Sequence, residues 1–144
     1  MPSTTFVIQR DRLYRYYEVI SLIGGLYFIG WLLLKIGFAK AYRSWVDSFV
    51  YRLDHDCLAI SSCYELWGFV LFRQEKRIPL EKITDLRLMQ GPVLSKMGLW
   101  CLYVQTASSG SQGPEAILHA LDNPREARDQ IMQAVTERGR SLRC

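Results

Sequence analysis

The sequence has little of what catalysis and metal binding draw on. Its two histidines, His55 and His119, stand alone, and its four cysteines, Cys57, Cys63, Cys101 and Cys144, show no CxxC or other ligand spacing. A structural zinc site needs four clustered ligands, so the pattern argues against a bound metal. Unpaired cysteines in β-rich segments read as small buried hydrophobes in a reducing compartment. There is no GxSxG elbow, no GxxxxGK[ST] loop and no HExxH helix, which removes common hydrolase, nucleotide-binding and metalloprotease signatures. Gly110-Ser111-Gln112-Gly113 reads as a turn rather than a phosphate cradle. Ser62 or Cys63 beside His55 lacks a third group to orient the base. The expectation is a protein that is not an enzyme and takes no cofactor.

Charge of one sign is also short over most of the chain. The formal net charge is +4, yet residues 46–144 carry twelve cations and twelve anions. All of the excess lies in residues 1–45, with six cations (Arg10, Arg12, Arg15, Lys35, Lys40, Arg43) against Asp11 and Glu18. Phosphate binding needs a basic stripe, so nucleic acid is not expected as the main partner.

What is abundant is apolar and early. Residues 19–34 form an uncharged run closed by Glu18 and Lys35. As an α-helix its 16 residues would measure about 24 Å, against a hydrocarbon thickness of roughly 30 Å. A snorkelling Lys35 extends the usable length through Ile36-Gly37-Phe38-Ala39 to about 20 residues. The run has no polar face, and a chain of 144 residues is too small to wrap such a helix completely. Tyr14, Tyr16 and Tyr17 precede it and Tyr42 and Trp45 follow it, residue types that settle at a membrane–water boundary. Val19, Ile20, Leu22, Ile23, Leu26, Phe28, Ile29, Trp31, Leu32, Leu33 and Leu34 are therefore expected in lipid. The excess cations beside them suit anionic headgroups. Gly30 and Gly37, on one helix face, offer a close approach between two such segments.

Topology is open at this level. Three cations precede the run and three follow it, so the positive-inside rule is tied. A single span is the default reading; a re-entrant segment bent near Gly24-Gly25 or Gly30, keeping both flanks inside, is its competitor.

After Trp45 the texture changes to short β-like runs separated by turns. Met1–Gln9 carries no pattern and is expected to be poorly ordered or to lie along the membrane surface. Strands are predicted over Val46–Leu53, Cys57–Cys63, Leu66–Arg73 (apolar on both parities, hence two covered faces), Arg77–Leu80 as an edge with Pro79, Ile83–Gln90, Leu99–Thr106 and Ala116–Leu121. Gln74-Glu75-Lys76 reads as a tight turn, and Val93–Met97 as one helical turn ending at Gly98. The last element is an amphipathic helix with Asn123 as N-cap, Pro124 at its first position, a stripe of Ala127, Ile131, Ala134 and Val135, and Gly139 at its end.

The middle of the chain resembles a family. Leu71-Phe72-Arg73-Gln74-Glu75-Lys76-Arg77-Ile78-Pro79-Leu80-Glu81-Lys82-Ile83-Thr84-Asp85-Leu86 is similar to the signature of bacterial pleckstrin-homology-like (PH-like) domains, in which a basic hairpin leads into Ile-Pro-Leu and an Ile-x-Asp strand. Gln90-Gly91-Pro92 with Gly98-Leu99, then Val104-Gln105-Thr106-Ala107, Gly113-Pro114-Glu115-Ala116 and Asp122-Asn123-Pro124 follow in the family's order. The similarity runs from about Trp45 to Val135. Ser61-Ser62-Cys63-Tyr64-Glu65-Leu66 stands where the family has a compact glycine-containing turn, and one short apolar segment stands where many members have a two-helix hairpin.

The resemblance implies an α+β chain: a membrane-embedded helical segment, then a bent antiparallel β-barrel of about seven strands capped by a C-terminal helix. Residues 1–15 would be an N-terminal flank, 16–43 the membrane-embedded segment and 44–144 the PH-like domain. It implies a bacterial inner-membrane protein whose domain faces the cytoplasm, with membrane lipids and a protein partner or second copy of itself as partners. The implied role is non-catalytic binding or scaffolding. Eukaryotic PH-like domains often hold phosphoinositide headgroups on a basic early hairpin, which makes Arg73, Lys76 and Arg77 candidates for anionic headgroup binding. Glu75 and Glu81 interleave with them and favour ordinary charge pairing.

Overall fold

The computed structural model describes residues 3–24, 39–66, 68–108 and 113–141. In chain order they form β1 (Thr4–Thr5), α1 (Arg10–Gly24), α2 (Ala39–Asp47), β2 (Val50–Leu53), β3 (Cys57–Leu66), β4 (Phe69–Pro79), a 3-10 turn (Leu80–Lys82), β5 (Ile83–Met89), α3 (Pro92–Lys96), β6 (Cys101–Thr106), β7 (Ala116–His119) and α4 (Pro124–Ser141). The strands make two antiparallel sheets, ordered β1-β2-β3-β4 and β5-β6-β7. Among the described residues no strand ladder joins the two into the closed barrel expected from the sequence. Two sheets with a C-terminal helix fit a PH-like fold, and a single antiparallel bridge between Ile8 and Leu121 links the N-terminal segment to the end of β7.

The core lies where the two sheets and α4 meet. Alternation places Tyr51 on β2, Leu58 on β3, Ile78 on β4, Leu102 and Val104 on β6 and Leu118 on β7 inside it. On β5 a register shift between Ile83 and Asp85 breaks the period of two, so Ile83 and Leu86 both turn inward while Leu88 packs at the margin. The expected stripe of α4 closes the open side: Ala127 and Ile131 are buried, and Ala134 and Val135 pack against them. That helix runs past Gly139 to Ser141. A Cβ at Gly139 would meet nothing, so the glycine only lowers helix propensity in an exposed last turn.

Four expectations are corrected. Met1–Gln9 contains the seam between the sheets. Thr4 and Thr5 pair with β2, the Phe6 amide donates to the Tyr51 carbonyl at 2.9 Å and the Gln9 amide to the Ala120 carbonyl at 2.7 Å. Residues 46–49 are the end of α2 and a turn rather than strand, because Val46 and Trp45 pack in the core, Trp45 also meets Tyr17 of α1, and Ala41 is buried one turn before them. Gln74-Glu75-Lys76 is no turn, since β4 runs unbroken through it and pairs with Ser62, Ser61 and Ile60. The hairpin reverses at Gly68, whose φ of 84° is open to glycine at little cost. Ser61–Leu66, expected to replace a compact turn, is simply the far end of β3.

The hairpin β3–β4 is therefore long, with 10 and 11 residues against 4 in β2. Beyond Ser61 its β3 edge has no further β2 partner. The Ser48 hydroxyl stands in: its Oγ accepts from the Cys63 amide at 2.8 Å and lies 2.9 Å from the Cys63 carbonyl and 2.6 Å from that of Trp45.

Candidate functional site

The basic residues singled out in the sequence all lie on β4, but they do not converge. Alternation sends Arg73, Glu75 and Arg77 to one face and Lys76 to the other, the face of buried Ile78. Arg77 spends its guanidinium on Glu75, with Nε and Nη2 each 3.1 Å from Oε1. Lys76 crosses to the segment before β7, donating to the Glu115 carbonyl at 2.7 Å and pairing with its carboxylate. That contact holds the Glu115 carboxyl below the usual carboxylate range. Only Arg73 of the three has no ion pair among the described residues.

The apolar run divides. Val19, Ile20, Leu22 and Ile23 form the end of α1. Leu26, Phe28, Ile29, Trp31, Leu32, Leu33 and Leu34, with Gly30 and Gly37, lie outside the described residues. Among the described residues no helix is long and apolar enough to cross a membrane. On either side of the run, α1 and α2 pack on each other. Tyr17 and Tyr42 stack with centroids 6.2 Å apart, Tyr17 meets Trp45 at 5.1 Å, and the Arg43 guanidinium sits 5.7 Å above the Tyr14 ring.

From Trp45 the aromatic contacts branch. One arm enters the core through Phe49 at 5.0 Å and on to Tyr51 at 6.1 Å. The other leaves it: Trp45 touches Tyr64 at 6.2 Å, and Tyr64 stacks on Phe72 across the hairpin at 5.9 Å. Past that pair Phe69, Val70, Leu71 and Phe72 are exposed by 74%, 51%, 57% and 52%. Sequence reasoning placed this stretch between two covered faces. The apolar content on both parities marks instead the tip of a hairpin that runs on past the end of β2.

The remaining candidates for chemistry are quiet. The Cys101 Sγ lies 3.5 Å from His119 Nδ1 beneath Phe49. Burial pushes the thiol up and the imidazole down, so both are neutral at pH 7, the reverse of an activated thiolate–imidazolium pair. Groups of acidic, cysteine and histidine side chains able to hold a metal are absent among the described residues. An open groove of about 350 Å³ between the β2–β3 turn and α4 holds Asp56 paired with Arg138 at 3.1 Å.

A family model described as a bacterial PH domain matches residues 18–135. The chain belongs to the bacterial PH domain family. Comparison with curated proteins and with solved structures returned no match. For this bacterial PH domain the match begins inside α1, upstream of the Trp45 at which the sequence resemblance starts, and so takes in the whole apolar run after Glu18. Membership supports a binding module in general, and the absence of a convergent basic pocket on β4 bears on what such a module would bind.

Proposed function

We propose that this bacterial PH domain is a non-catalytic binding and scaffolding module held at the cytoplasmic face of the inner membrane by the apolar run, acting through a protein partner or a second copy of itself. The observation that carries the reading is the stacking of Tyr17 on Tyr42 at 6.2 Å. These residues stand on opposite sides of the run, yet both belong to one face of the folded domain. A single span would put roughly 30 Å of hydrocarbon between them. The contact therefore favours the re-entrant alternative, in which Arg10, Arg12, Arg15 and Arg43 all stay on one side, as the positive-inside rule prefers.

The test is accessibility labelling in sealed inner-membrane vesicles of both orientations. Cys144 and a cysteine added at the N-terminus are each made the sole thiol. Both should label from the cytoplasmic side alone. Labelling from opposite sides would establish a single span, and recovery of the chain in the soluble fraction would overturn membrane attachment itself. Headgroup binding by Arg73, Lys76 and Arg77 is the weaker reading, because two of the three cations already have carboxylate partners.

A further inference from the structure

We infer that the tip of the β3–β4 hairpin is a second membrane contact, a wedge that dips into the same bilayer surface the apolar run enters; this rests on the membrane attachment proposed above. Phe69, Val70, Leu71 and Phe72 are each more than half exposed; Phe69 and Val70 alternate across the strand, and a register shift opposite Tyr64 and Glu65 leaves Leu71 as an extra residue, so apolar side chains stand on both faces. A rigid protein surface docked on one face of a hairpin leaves the other face wet unless it also wraps the tip. A fluid apolar phase encloses both.

The order of side chains along the hairpin matches the depth profile of an interface. The tip is apolar, Tyr64 stacked on Phe72 and touched by Trp45 comes next, and Arg73 follows. Aromatic rings settle at headgroup level, with cations just outside it. From Phe69 to Phe72 the strand rises about 10 Å, close to the 5–10 Å that interfacial elements bury. Glu65, paired across from Val70 and half-buried, reaches back along β3 with its Oε1 4.0 Å from the Cys63 thiol, toward the level of Arg73, which keeps its carboxylate on the headgroup side, since a carboxylate is not carried into hydrocarbon without cost.

Position supplies the third argument. Trp45 touches both Tyr64 of the hairpin and Tyr17 of α1. The tip thus stands beside the flanks of the run, and a surface that takes one meets the other. Arg73, exposed and without an ion pair among the described residues, is left to meet an anionic phosphate.

The full chain, with its native cysteines replaced, is reconstituted into vesicles of phosphatidylethanolamine and phosphatidylglycerol and labelled with an environment-sensitive fluorophore at Leu71→Cys or, as control, at Met132→Cys on α4. Flotation of the chain with the vesicles reports the tether separately. The expected result is a blue-shifted Leu71→Cys probe quenched severalfold more by doxyl-labelled lipid than the control, and shielded from iodide. A chain that floats while its Leu71→Cys probe stays open to iodide and untouched by doxyl lipid overturns the wedge and leaves the tether standing. A probe shielded from both quenchers means protein covers the tip, which also overturns the wedge. A chain that does not float overturns both proposals.

Discussion

The two ends of one hairpin are built from the same strands and meet opposite fates. At the base, Leu58 pairs with Ile78, and the two are 0% and 3% exposed; at the tip, Tyr64 pairs with Phe72, which is 52% exposed. Both pairs lie on the same face of β3 and β4. The difference is what stands opposite. The base faces the second sheet and α4, whereas the tip has Trp45 beside Tyr64 and solvent beyond. Apolar patterning therefore records that a segment avoids water, and the architecture decides what it is given instead.

The largest effect tests that contrast directly. Leu58→Ala should lower unfolding stability by about 2–5 kcal/mol, the usual cost of an apolar truncation in a packed core. Leu71→Ser at the tip should change it by no more than about 0.5 kcal/mol, as surface substitutions do. Chemical denaturation of the full chain in detergent measures both, and equal losses would mean that the tip is packed as the base is.

The boundary between the two regions is set by Ser48, which satisfies the Cys63 backbone where β2 gives out. Ser48→Ala leaves half-buried polar groups without that partner and should cost about 1–3 kcal/mol. It should also raise hydrogen exchange at the Cys63 amide while leaving that of Leu58 unchanged. Equal protection at Cys63 before and after would show that the hairpin does not need the contact.

Glycine sharpens the comparison in the next range down. A Cβ at Gly68 would meet no atom, so only its φ of 84° opposes a side chain. Gly68→Ala should cost about 1 kcal/mol. Gly139, equally uncrowded but helical, should give the opposite sign, with Gly139→Ala stabilising by about 0.5–1 kcal/mol. Parallel shifts at the two sites would contradict the assigned backbone.

These sites also show what was legible in the sequence and what was not. The stripe of α4 and the alternation of Leu102 and Val104 were readable because each of those elements meets the core along one continuous face. Gln74-Glu75-Lys76 was misread because polar residues on an edge strand look like a turn when its neighbours are unknown. Residues 46–49 were misread for a different reason. The face of α2 made by Ala41, Trp45 and Val46 is explained partly by Tyr17, far upstream, and local periodicity cannot supply a distant partner. The candidate site suffered most. The basic cluster was visible as composition, and so was the interleaved Glu75 that pairs with Arg77, but the pairing of Lys76 with Glu115 depends on a long-range contact. The tip was visible as four apolar residues without any sign that nothing would cover them.

The smallest effect concerns the dry end of the comparison. His119 is enclosed by Phe49, with Cys101 on its Nδ1 and the Tyr51 hydroxyl accepting from its backbone amide at 3.1 Å. Burial lowers its imidazole pKa and raises those of the Cys101 thiol and the Tyr51 phenol, so all three groups are neutral near pH 7. With its folded pKa below the unfolded value of about 6.5, His119 binds a proton more readily in the unfolded chain. Stability from this group is thus fully present above about pH 6.5 and is lost as pH falls toward the folded pKa. Denaturation at about pH 7.5 and about pH 5.5 should show a decline for the native chain that His119→Gln reduces, since glutamine does not titrate. Because the tip holds no comparable buried titratable group among its described residues, Leu71→Ser should leave that decline untouched. A decline of the same size in His119→Gln would place its origin elsewhere and remove the claim that this corner of the core excludes a charged ring.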